Sequence, residues 1–103
     1  SALLMNGYQV ESAASVTEAH QLTDKAEGGF DLLFSDVILP DGNGIDLAQT
    51  IIQKTPETNV LLSSGYTEEK ARIDVIEKNR FYFLQKPYPL ERMLKKVREA
   101  LDQ

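Results

Sequence analysis

The chain has 103 residues, 42% hydrophobic and 26% charged, a composition that suits one compact domain built around one modest core. A net charge of −5 argues against non-specific attraction to nucleic acid or an anionic membrane. The lack of cysteine excludes a disulfide framework and a thiolate metal site, and a single histidine, His20, excludes a multi-His site within the chain. No stretch approaches the roughly 18 consecutive apolar residues of a membrane span and no signal peptide is visible, so a cytoplasmic domain is expected.

Ser1 to Gly7 reads as the last turn of a helix, with Gly7 just past its end. Tyr8 to Ala13 alternates like a strand. Ser15 and Glu18 have capping-box spacing, which predicts a helix over Val16–Glu27 stopped by Gly28-Gly29. Phe30–Ser35 is apolar enough for a strand covered on both faces. Ile45, Ala48, Ile51 and Ile52 recur at helical spacing, and Pro56 stands just beyond the expected end of that helix. Val60–Ser64 predicts a strand closed by Gly65, and Thr67 opens another helix with Glu68 and Glu69 in its first turn. Phe81–Leu84 is an aromatic-rich strand ended by Pro87 and Pro89. The last helix carries Leu90, Met93, Leu94, Val97 and Leu101 on one stripe. Strands alternating with helices imply right-handed crossovers and a mostly parallel α/β sheet with helices on both faces. His20, in mid-helix, reads as a surface or half-buried residue rather than a phosphorelay histidine, which needs a helical bundle.

Three polar residues end consecutive apolar strands: Asp36, Ser64 and Lys86. Parallel strands bring their carboxyl ends to one sheet edge, where ligands of open α/β sheets bind. Each residue also has a plain reading: Asp36 as a loop cap, Ser64 as a turn hydrogen bond before Gly65, Lys86 as a snorkelling surface cation. Together, a carboxylate, a hydroxyl and an ammonium form a site for a transferable anion. The carboxylate can attack a phosphoryl donor, and the other two can bind the transferred oxygens.

The stretches Phe30–Gly44, Leu61–Tyr66 and Phe83–Pro87 resemble, in order and spacing, the receiver domains of bacterial two-component response regulators. The tail Leu84–Tyr88 with Ser64–Thr67 looks most like receivers at the C-terminus of hybrid sensor histidine kinases. The resemblance implies a flavodoxin-like, three-layer receiver fold over residues 1–103. It implies a signalling domain rather than an enzyme, taking a phosphoryl group from a phosphohistidine of a histidine kinase or phosphotransfer protein. Asp36 would be the phosphoacceptor, Ser64 a phosphoryl contact, Lys86 its salt-bridge partner and Phe83 the switch aromatic. Lys86-Pro87 matches a peptide bond that is often cis in the family. Phe83 lacks the hydroxyl of a tyrosine, so its inward state would gain packing alone.

Mg²⁺ would be bound by Asp36, the Ile38 backbone carbonyl and an acidic pair at the end of the family's first strand. The family's usual offset places that pair ahead of Ser1, so the first strand and most of the first helix are expected to be absent. Glu11, Asp31 and Asp41 do not match it by position. Mg²⁺ should then be weakly held and phosphoryl acceptance poor, since the ion neutralises charge during transfer. In the family's strand order, 2-1-3-4-5, the missing strand is interior, leaving sheet edges open to homodimerisation or strand exchange. Two rivals remain. A haloacid dehalogenase-type phosphatase resembles Asp-x-Asp, but its second carboxylate falls on Ile38. A non-phosphorylated pseudo-receiver would dock partners through the helix after Thr67 and the Phe83 strand.

Overall fold

The computed structural model describes residues 14–25, 29–65, 76, 78, 79 and 81–102. The expected strand at Tyr8–Ala13, the helical turn before Gly7 and the helix opened by Thr67 lie outside the described residues. In chain order the described elements are α1 (Val16–Lys25), β1 (Leu32–Asp36), β2 (Ile38–Leu39), β3 (Gly42–Asn43), α2 (Gly44–Lys54), β4 (Asn59–Ser64), β5 (Tyr82–Gln85) and α3 (Leu90–Leu101).

β1, β4 and β5 form a parallel sheet in the order β1-β4-β5, with Phe34 opposite Leu61 and Leu61 opposite Tyr82. Period-2 alternation sends successive side chains to opposite faces, and two separate cores result. On one face Leu33, Val60, Leu62 and Phe83 pack with Ile45, Ala48 and Ile52 of α2 and with Ile76. On the other, Leu32, Phe34, Leu61, Tyr82 and Leu84 pack with Met93, Val97 and Leu101 of α3. Leu90 departs from the expected apolar stripe. It stands in the first turn of α3, beyond the sheet, and is 53% exposed.

Helix ends follow local chemistry. Asn43 caps α2 through its Oδ1, which accepts from Ile45 N at 2.7 Å, and Thr55 closes the helix one residue before Pro56. At α1, Ser15 Oγ accepts from Glu18 N at 3.1 Å, as the capping box requires. The reciprocal bond differs: Glu18 Oε2 reaches Ala14 N at 3.3 Å rather than Ser15 N. The α1 amides of Val16 and Thr17 turn instead to Asp41, whose carboxylate accepts from Val16 N at 2.7 Å and from Thr17 N at 3.1 Å. Thr17 Oγ1 adds a third bond to Asp41 at 2.9 Å.

The Val16 N–H is the main reason that the Asp41 carboxyl sits below its ordinary value of 3.8; desolvation opposes the shift and Thr17 reinforces it. A carboxylate whose folded value is depressed stabilises the fold above its unfolded value, and that contribution disappears as pH falls through the folded one. The Val16 and Thr17 amide shifts should therefore move with Asp41 titration below about pH 4, and Asp41→Asn should flatten that part of the acid-unfolding curve. NMR-detected acid titration of both proteins checks this.

Candidate functional site

β1 runs into the site and stops at Asp36 because the chain turns sharply there. Val37 N donates to Ser63 O at 2.9 Å, and Gly44 N donates to Val37 O at 2.7 Å. Between them β2 and β3 form a small antiparallel ribbon that the sequence did not signal, pairing Ile38 with Asn43 and Leu39 with Gly42. The Gly44–Val37 bond makes Ile38–Asn43 a non-hydrogen-bonded pair, so the Ile38 carbonyl turns out of the ribbon. The Ile38 side chain is 52% exposed.

The Asp36 carboxylate is about half exposed, with 48% of its side chain open to solvent. Lys86 follows β5 directly, its N–H donating to Ser64 O at 2.9 Å, and the Lys86-Pro87 bond is cis. The Lys86 side chain crosses the sheet edge and places Nζ 2.9 Å from Asp36 Oδ1. A second donor meets the same oxygen: Ser63 Oγ lies 2.7 Å from Asp36 Oδ1. Ser63 is directly opposite Asp36 in the β1–β4 register, so both side chains belong to the α3 face of the sheet.

Ser64 stands one residue further along β4 and is buried. Alternation puts it on the α2 face with Leu62 and Phe83, whose partly buried ring packs into that core. The four residues singled out in the sequence thus divide by face: Asp36 and Lys86 meet on the α3 side, Ser64 and Phe83 lie on the α2 side. Ser63 and Asp41 were not foreseen. Only the strand register separates Ser63 from Ser64, and the Asp41 contacts join segments with no local sequence signal.

Mg²⁺ favours an octahedron of about six oxygens. Among the described residues no group of three His, Cys, Asp or Glu side chains could hold a metal ion. Asp36 and the Ile38 carbonyl, the oxygens the resemblance assigns to Mg²⁺, do not by themselves form such a cage. No helix among the described residues is long and apolar enough to cross a membrane.

The family model described as the response regulator receiver domain matches residues 1–98. The chain belongs to the response regulator receiver domains. This receiver is 40% identical over 90 residues to the response regulator protein PilR of Pseudomonas aeruginosa, covering 87% of the chain and 20% of PilR. It is 32% identical over 101 residues to the sensor kinase CckA of Brucella abortus, covering 98% of the chain and 11% of CckA. The receiver therefore spans a fifth or less of these two curated relatives. A CheY-like receiver domain structure from Methanospirillum hungatei superposes with a TM-score of 0.84 at 26% identity, over 97% of this chain and 78% of that one. The flavodoxin-like receiver fold, a parallel sheet between helices, is the fold of this chain.

Proposed function

We propose that this receiver accepts a phosphoryl group on Asp36 from a phosphohistidine of a histidine kinase or phosphotransfer protein, and that the new charge switches a partner-binding surface. The observation that carries the reading is the half-exposed Asp36 carboxylate held 2.9 Å from Lys86 Nζ at the carboxyl edge of a parallel sheet. An Asp36 oxygen attacks phosphorus and the P–N bond to the donor imidazole breaks, its electron pair returning to the ring nitrogen. The phosphoryl group gains a cationic contact in Lys86, which moves from the carboxylate to the incoming oxygens. Ser64, at the end of the neighbouring strand, binds a phosphoryl oxygen, and Phe83 on the same face repacks as Ser64 shifts. The site acts as an acceptor, not as a catalyst turning over an external substrate. A cytoplasmic setting suits this exchange, either in a free regulator or in a kinase polypeptide such as the similar CckA. The Mg²⁺ expected for the family would need oxygens beyond Asp36 and Ile38.

Incubation of the full natural polypeptide with a phosphorylated histidine kinase, or with acetyl phosphate and Mg²⁺, followed by peptide mapping tests the reading. Label on the peptide containing Asp36 is the expected result. Partner binding without any label would instead identify a docking pseudo-receiver. Lys86→Ala should slow loading by about ten- to a hundredfold, less than a fully buried transition-state donor is worth because Lys86 is partly solvated. Loading rates from acetyl phosphate measure this.

A further inference from the structure

The geometry points to Ser63 as a positioning residue that shortens the lifetime of the phosphorylated state by holding Asp36 Oδ1. This rests on the reading of Asp36 as phosphoacceptor. Ser63 is fully buried, opposite Asp36 in register, and its hydroxyl donates to Oδ1 at 2.7 Å. Lys86 Nζ meets the same oxygen at 2.9 Å. Both of these contacts fall on Oδ1, which leaves Oδ2 as the oxygen to attack the donor phosphorus while Oδ1 is pinned.

After transfer, Lys86 is drawn to the phosphoryl oxygens, whereas Ser63 cannot follow. Its Oγ hangs from a strand whose backbone is tied on both sides, to β1 and to β5. Ser63 therefore keeps donating to Oδ1, now the carbonyl oxygen of an acyl phosphate. A hydrogen bond to a full carboxylate is roughly twice as strong as one to a neutral carbonyl. In hydrolysis a water oxygen bonds to phosphorus, the P–Oδ2 bond breaks, and its electron pair returns to Asp36 as carboxylate charge. The water's proton leaves with inorganic phosphate and solvent. The Ser63 bond strengthens as that charge develops, so it favours the departure of Asp36 as leaving group and biases the site toward the unphosphorylated state.

The test compares the full polypeptide with its Ser63→Ala, Ser63→Cys and Ser63→Thr variants, each loaded from acetyl phosphate and then freed of donor. The half-life of the aspartyl phosphate should lengthen about three- to tenfold in Ser63→Ala and Ser63→Cys, one hydrogen bond's worth, and return toward the parent value in Ser63→Thr. Cysteine keeps the size of serine with a weak donor, so it reports on the bond even where alanine perturbs packing. A purely structural role would lower the melting temperature and leave the half-life unchanged. Equal or shorter half-lives in both Ser63→Ala and Ser63→Cys overturn the role of Ser63 alone. A parent protein that takes no label overturns the phosphoacceptor reading, and this inference with it.

Discussion

Replacing Gly44 with alanine should destabilise the fold more than any other single glycine substitution among the described residues, and lower its urea midpoint sharply. A Cβ at Gly44 would overlap the Asp36 carbonyl oxygen and lie 3.0 Å from both the Asp36 carbonyl carbon and Ser35 Oγ. Two of these atoms are backbone, at the end of a strand hydrogen-bonded to β4, and cannot rotate away as a side chain would. Relief requires α2 to withdraw from β1. That would stretch the Gly44–Val37 bond and open the core where Ile45 and Ala48 pack against the sheet. The expected cost is about 3–5 kcal/mol, set against a total stability of about 5–15 kcal/mol for a domain. Urea unfolding checks it, with Gly42→Ala as control. A Cβ at Gly42 meets only the Val16 side chain, at 3.0 Å from Cγ2, and that side chain can move. A midpoint for Gly44→Ala close to that of the parent protein would refute the clash.

Asp36→Asn should give the opposite pattern, a fold left nearly intact and a chemistry lost. Asparagine matches aspartate in size and keeps an oxygen for Ser63 and Lys86, but it has no anionic nucleophile. Phosphoryl label should fall to background with every donor. The ion pair it dissolves is roughly half exposed on both partners, so the change in stability should stay within about 1 kcal/mol. Parallel melting curves and labelling of the two proteins separate the effects. Label persisting at parent levels in Asp36→Asn would move the acceptor elsewhere.

The alternation of strand and helix was legible because each strand of the parallel sheet is a short, largely apolar run bounded by turn residues, and the helices packed on it carry apolar residues at helical spacing. Boundaries shifted where backbone groups are taken by loop partners. Phe30 was expected in a strand, but its carbonyl accepts from Thr58 Oγ1 at 2.7 Å and the ladder starts at Leu32. The ribbon of β2 and β3 has two residues per strand, too few for any period to show. At the site, the approach of Lys86 to Asp36 follows from topology alone, since both end parallel strands. The choice between Ser63 and Ser64 does not, because a slip of one residue exchanges their faces and nothing local fixes the register. Asp41 was equally opaque, an ordinary turn acid until the fold brings α1 alongside it.

Asp36 and Phe83 lie on opposite sides of a single layer of strands. On the proposed reading, a partner docked on the α2 side of the sheet would leave the carboxylate on the α3 side uncovered. Reader and writer could then occupy the domain at the same time, and the duration of a signal need not depend on one leaving before the other arrives.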